Sequence, residues 1–253
     1  KKPIHGGWYY TVPHGQAWYL LKFYPAYFAE HWLLFSELKQ RGLTSPQIAS
    51  LGCGCMVDAA AVEDLYGANF SYEGYDINQW CILATSSSRC HFNKQDISTL
   101  KGFNPDTNVI IFPRSISDLA SMSQSISNSI DNFITAEKFY ICATLRCEAN
   151  VGNDGDYESV HTVAKNLKKY TISSSQNYTF ADKKNISNLV ISQYVRNGWT
   201  HSESHFAGVL LAKCKSENGC KEECRGSIKP NPMMKMSNLS YAIFELVRVA
   251  GEE

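Results

Sequence analysis

Ile48-Ala49-Ser50-Leu51-Gly52-Cys53-Gly54-Cys55 is the stretch that decides the fold. A short, mostly apolar run meets two glycines in three positions. A helical pattern follows at once, with Val57, Ala60, Ala61, Val62 and Leu65 on one side and Gly67 to stop it. A strand, a glycine turn and a helix with no linker between them open a βαβ unit. The glycines let the backbone turn tightly and let a ligand approach it closely.

The same rhythm continues downstream. A run ends at Tyr75-Asp76, a helix is expected around residues 80–84, and a third run ends at Gln95-Asp96-Ile97. Val109-Ile110-Ile111-Phe112 is apolar throughout, the mark of a strand covered on both faces. Serines crowd residues 116–134, yet Ile116, Leu119, Ile126, Ile130, Phe133 and Ile134 keep helical spacing. Residues 139–145 form a further apolar run. Residues 157–170 read as a helix whose lysine-rich end suits the negative pole of its dipole. This alternation predicts an α/β, Rossmann-like fold: a seven-stranded, mostly parallel sheet with helices on both faces. Beyond 170 the pattern predicts a helix over 186–196 and late strands over 206–212 and 241–249.

Upstream, residues 1–20 are aromatic and irregular, and Pro25 is expected to open a helix that Gly42 stops. The chain thus divides into an N-terminal aromatic cap and lead-in helix (1–45) and an α/β domain (46–253). A Cys/Lys-rich insertion lies near 213–236. Tyr24, Tyr27 and His31 are spaced three and four apart and share one helical face. They form either a core stripe or a lid lined by phenols and one imidazole.

Composition bounds the partners. Lys+Arg and Asp+Glu balance at 24 each in 253 residues, which argues against a protein that holds a duplex by charge alone. The cluster Lys213, Lys215, Lys221, Arg225, Lys229 and Lys235 leaves a local nucleic-acid contact open. Nine cysteines, an odd number set mostly in apolar stretches, read as free thiols of a reducing compartment, so a cytoplasmic protein is expected. The sequons at Asn69, Asn177, Asn185 and Asn238 are then chance matches, and no secretory leader is read at the start. The apolar segment 17–35 carries Lys22, Pro25, Glu30 and His31 and is rejected as a membrane span. Cys214, Cys220 and Cys224 with His201 or His205 have the residue types of a zinc site. Their spacing is not the usual pair of Cys-x2-Cys, so a solvated loop without metal is expected.

Ligands of such a sheet bind at the carboxyl ends of the strands. Asp76 closes the second strand, where a carboxylate can accept from both hydroxyls of a ribose. Asp96 closes the third, where it can accept from an adenine amino group. Val57 stands where a dinucleotide fingerprint has its third glycine, which argues against pyrophosphate binding.

With these residues in their order, the chain resembles the class I S-adenosylmethionine-dependent methyltransferases over about residues 46–146. The carriers are Ser50-Leu51-Gly52-Cys53-Gly54, Tyr75-Asp76, Gln95-Asp96-Ile97 and Val109 to Ser115. The resemblance implies S-adenosylmethionine as cofactor. It implies Gly52, Cys53 and Gly54 for the methionine part, Asp76 for the ribose, Asp96 and Ile97 for the adenine, Ile77 as a further cofactor-binding residue, and Pro113 facing the cofactor. Arg114, Ser115, Tyr24 and Tyr27 would meet the acceptor. The position two before Gly52, acidic in many members, is Ser50, and the third glycine of the turn is Cys55. The fourth motif lacks Asn-Pro-Pro-Tyr, which disfavours an amino-adenine acceptor. Methyl transfer asks mainly for alignment, and a base only for a hydroxyl or a protonated amine; His31 and His14 are the candidates. The acceptor is unidentified, small or aromatic on the evidence of the cap. A non-catalytic methyltransferase-like protein acting through a partner or nucleic acid, and an NAD-dependent oxidoreductase, are the alternatives.

Overall fold

A computed structural model describes residues 8–100, 102–146, 154–180 and 239–249. Strands β1 (Gln47–Leu51), β2 (Ser71–Asp76), β3 (Cys90–Lys94), β4 (Val109–Pro113), β5 (Lys138–Arg146), β6 (Tyr170–Phe180) and β7 (Leu239–Arg248) form one sheet. Their order is β3-β2-β1-β4-β5-β7-β6. The pairs from β3 to β5 are parallel, whereas β7 runs antiparallel between β5 and β6. The order departs from the dinucleotide-binding 3-2-1-4-5-6 by the wedging of β7 into the sheet.

Alternation along each central strand supplies two cores. Ala49, Leu51, Ile110, Phe112, Ile141 and Phe244 face α4 (Ile116–Leu119), α5 (Ser123–Phe133) and α6 (Asp154–Lys165). Ile48, Val109, Ile111, Cys142 and Ile243 face α2 (Pro13–Gln40) and α3 (Val57–Tyr66). Both faces are covered, as the continuous apolar runs predicted.

Four helical expectations change. The first long helix begins at Pro13, not Pro25, behind the short α1 (Trp8–Thr11), and it continues through Pro25. Pro13 occupies the first turn, where its missing N–H costs nothing. The span 116–134 is broken by a 3-10 turn at Ala120–Met122. The span 157–170 ends at Lys165, and Tyr170 opens strand β6. Residues 80–84 form no helix. The side chain of Gln16 occupies that backbone instead: Nε2 donates to the Gln79 carbonyl at 2.7 Å, and Oε1 accepts from the Cys81 N–H at 2.8 Å. Ala84 N–H goes to the Cys55 carbonyl at 2.7 Å. The expected helix 186–196, strand 206–212 and Cys/Lys-rich insertion lie outside the described residues.

One buried polar cluster pins β1 and β2 to α3. Asp58, fully buried in the first turn of α3, accepts from Ser50 Oγ at 2.7 Å and Tyr72 Oη at 2.9 Å. Ser50 thus carries a carboxylate as a partner rather than in its own side chain. Burial raises the Asp58 carboxyl to about 6 despite these donors. Between the unfolded value of 3.8 and about 6 the folded chain holds a proton that the unfolded chain has lost. Stability from this group is therefore full below pH 3.8 and falls as pH rises through about 6. In Asp58→Asn this term is absent. Denaturant titrations at steps from pH 4 to pH 7 should show the parent's advantage over the variant shrinking by ~3 kcal/mol as pH rises. A gap that stays constant would contradict the assignment.

Candidate cofactor and substrate site

The exit of β1 builds the site. Gly52 sits at φ +77° and Gly54 at φ +53°, both in the left-handed region. The N–H groups of Gly52 and Cys53 both reach the Tyr75 carbonyl, at 2.8 and 3.1 Å. The turn is thereby tied to the end of β2. Ser115, just after β4, donates its hydroxyl to the Leu51 carbonyl. A Cβ on Gly52 would lie 2.5 Å from Ser115 Cβ. Only glycine lets the ends of β1 and β4 come this close.

Asp76 closes the arrangement from β2. Its Oδ2 accepts from Gly54 N–H at 3.0 Å and its Oδ1 from Asn78 N–H at 2.8 Å. A carboxylate has about four acceptor positions, so two bonds leave it capacity for more. Burial raises its pKa, and the N–H donors oppose that shift. The Trp80 indole N–H lies close enough to favour the ionised carboxylate yet falls outside hydrogen-bond geometry, and it is buried without a bonding partner among the described residues. Asp96 caps the 3-10 turn Ile97–Thr99 and accepts from Ser98 N–H at 2.8 Å; the Ser98 side chain first, and then this N–H, hold its carboxyl below the usual range.

These strand ends surround one cavity of about 590 Å³. Gly52, Gly54, Asp76, Ile77, Asp96, Ile97, Pro113, Arg114 and Ser115 all line it, so most of the expected cofactor residues and both expected substrate residues after β4 converge. The opposite wall is aromatic. Tyr19, Phe23 and Tyr27, one helical turn apart on α2, join Tyr10 of α1 and Trp80 of the loop after β2. Their rings touch in series: Tyr19–Phe23 at 4.8 Å between centroids, Phe23–Tyr27 stacked at 5.2 Å and Tyr19–Trp80 at 5.5 Å.

Other expected residues lie behind the lining. Cys53 is buried and points at Gly74, where a Cβ would come within 2.7 Å of its sulfur; only its backbone belongs to the turn. Tyr24 is buried against Phe28 in the core beneath the wall. His31 is buried too. Its Nδ1 donates to the Tyr27 carbonyl at 2.6 Å, and its Nε2 faces Thr144 Oγ1 at 3.4 Å. Burial pushes its pKa down to about 3, so the ring is neutral. It holds Thr144, whose hydroxyl oxygen accepts from the Arg114 N–H at 3.0 Å. The side chain of His14 lies outside the described residues.

Among the described residues, the one cation of the cavity lining was expected only in part. Arg114, with φ +55°, lines it and sits over the Tyr27 ring at 4.6 Å. Behind Arg114, Glu30 is wholly buried and forms a two-pronged ion pair, Nε–Oε2 at 2.8 Å and Nη2–Oε1 at 3.0 Å. Burial raises Glu30 and the guanidinium opposes that rise; burial also works against the charge of Arg114, and the Glu30 carboxylate and its hydrogen bonds outweigh it and raise Arg114. Glu30, Tyr10, Tyr19, Phe23 and Trp80 were missed as site residues. The spacing 19-23-27 was the available signal, hidden by the expectation that the helix starts at Pro25.

No family model matches the chain, and no curated protein does. Among solved structures the chain is similar to the cyclase SpnF, at 14% identity and TM-score 0.47 over 87% of this chain and 81% of that one. It is similar to phosphoethanolamine N-methyltransferase 2 of Haemonchus contortus, at 12% identity and TM-score 0.47 over 85% of this chain and 52% of that one. A methyltransferase of Bacillus halodurans, described as putative, gives 9% identity and TM-score 0.43 over 84% of this chain and 97% of that one. The fold is Rossmann-like. Its parallel central strands and the helices on both faces make it the fold that the sequence resemblance implies.

Within this Rossmann-like sheet, Gly52→Ala should cost about 2–4 kcal/mol of stability, part from the left-handed backbone and part from the collision with Ser115. The double variant Gly52→Ala/Ser115→Gly should regain the collision part only. Thermal denaturation of the cycle separates the two; additive effects would show that no contact exists.

Proposed function

We propose that the chain is an S-adenosylmethionine-dependent methyltransferase that acts on a small or aromatic acceptor. One observation carries this reading: the exits of four consecutive strands converge on a single cavity that offers Gly52, Asp76, Asp96 and Arg114 in strand order. The residues fit the cofactor. Gly52 and Gly54 leave a bare backbone at the turn, Asp76 keeps acceptor capacity for a ribose diol, and the Trp80 N–H is a buried donor beside it. Ile77, 62% exposed, and the buried Ile97 both line the cavity and offer apolar surface to an adenine.

S-adenosylmethionine, when bound, supplies a methyl group already activated on a sulfonium, so the protein's part is chiefly alignment and exclusion of water. The α2 aromatic wall covers the cavity and keeps water from the reacting atoms. Gln16, by bonding the backbone of residues 79 and 81, holds Trp80 in that wall. The Glu30 pair fixes the plane of the Arg114 guanidinium, and the chain Arg114–Thr144–His31 fixes its backbone. His31 serves in this account as a positioning residue, because its ring is neutral, buried and engaged.

The oxidoreductase alternative gains no support. Val57, in place of the third glycine, is buried at the start of α3. A cytoplasmic setting belongs to the same proposal; Cys53, Cys55, Cys81, Cys90 and Cys142 are all free thiols. Among the described residues no helix is long and apolar enough to cross a membrane. The basic cluster near 213–235 and the Cys214, Cys220, Cys224 set lie outside the described residues, and any nucleic-acid contact rests on sequence alone.

Calorimetry tests the reading. S-adenosylhomocysteine should bind and NAD should not, and Asp76→Ala should weaken S-adenosylhomocysteine by about tenfold or more. Absence of heat with S-adenosylhomocysteine would sink the methyltransferase reading. Unchanged affinity in Asp76→Ala would refute the ribose role.

A further inference from the structure

The methyl acceptor is the unknown that the cavity addresses most directly. Arg114 is a non-glycine residue held in the left-handed region, a costly conformation that persists only where its surroundings enforce it. What enforces it is visible: the Arg114 N–H is anchored on Thr144, and the guanidinium is gripped edge-on by Glu30 and face-on by Tyr27. Glu30 occupies only the Nε and Nη2 edge of the fork. The Nη1 end makes no hydrogen bond to the described residues, and the side chain keeps 17% exposure on the cavity. A guanidinium fixed in this way presents its remaining donors in one plane, and that plane suits a carboxylate or phenolate oxygen.

The neighbouring surface is π-rich, with Phe23 stacked on Tyr27 and Tyr19 tilted by 51° against Phe23. Tyr27 touches both Arg114 and Phe23, and Phe23 continues to Tyr19, so the guanidinium ends a run of three rings on one helix face. Tyr27 is held between Phe23 and the guanidinium, so an aromatic ring bearing an anionic oxygen can pack edge-to-face against the wall while it reaches Arg114. The lining also carries carboxyls and phenols but, among the described residues, no imidazole, thiol or amine. An acceptor that arrives ionised has no proton to give up at the reacting oxygen, and it asks for no such base.

We infer that the acceptor is an aromatic anion, a carboxylate or phenolate, whose ring packs against the edges of Tyr19, Phe23 and Tyr27 and whose oxygen binds Arg114. Arg114 is then the specificity-determining residue and Glu30 its positioning residue. This rests on the methyltransferase reading of the same cavity, and the experiment separates the two.

The full chain is titrated by calorimetry with S-adenosylhomocysteine, then with benzoate and naphthoate against benzamide and naphthamide, each with S-adenosylhomocysteine present. The carboxylates should bind about tenfold or more tightly than the amides of the same shape. Arg114→Lys should cancel most of that preference, because an ammonium cannot reproduce the fork, while its S-adenosylhomocysteine affinity stays within about twofold. Tyr27→Leu should weaken acid and amide alike. Equal binding of acid and amide by the unaltered protein, or binding of neither, overturns the proposal without any variant having to fold. Loss of S-adenosylhomocysteine affinity in Arg114→Lys also overturns it, since Arg114 would then hold the amino-acid carboxylate of the cofactor. Carboxylate binding without S-adenosylhomocysteine binding would uphold the anion site and reject the methyltransferase reading.

Discussion

The near-contact of Gly52 with Ser115 is the constraint on which the site depends. Two parallel strands separate at their ends unless something ties their exits together. Here the Ser115 hydroxyl reaches back to the Leu51 carbonyl, and the missing Cβ of Gly52 makes room for it. The same turn lends two N–H groups to Tyr75 and a third, on Gly54, to Asp76. The exits of β1, β2 and β4 are thereby drawn to one point. The cavity follows from that convergence rather than from any single side chain.

Charge is organised around this point in two buried units of opposite use. Asp58 sits behind the turn and ties β1 and β2 to α3, with its carboxyl raised to about 6. Glu30 sits behind Arg114 and places that guanidinium on the cavity surface. Removing one partner of a buried pair leaves an uncompensated charge, which is far costlier than never having had the pair. This coupling makes the lead-in helix α2 part of the site as well as part of the core: Leu34, Phe35 and Leu38 pack on the sheet, whereas Tyr19, Phe23 and Tyr27 face the cavity.

The central sheet was legible in the sequence because strands buried on both faces leave unbroken apolar runs, as at Val109 to Phe112. The turn and its two acidic followers were legible for a related reason: positive-φ glycines and strand-closing carboxylates occupy fixed places in a βαβ unit. Helix α2 was misjudged at its start because Pro25 resembles a first-turn proline, while tertiary packing carries the helix through it. Residues 80–84 have helical spacing, but a side chain 65 residues away in sequence, Gln16, takes the backbone N–H of Cys81. Strand β6, rich in serine and polar residues, gave little apolar signal, since it lies at the edge of the sheet. The Glu30–Arg114 pair joins positions 84 apart, a distance over which local pattern carries no information.

The most direct measurement is a crystal structure of the full chain grown with S-adenosylhomocysteine. Ligand density is expected along the exits of β1 to β4, with the ribose hydroxyls on Asp76, the adenine between Ile77 and Ile97, and the amino-acid end at the Gly52–Gly54 backbone. Density elsewhere on the protein, or a ribose that does not touch Asp76, would contradict this placement.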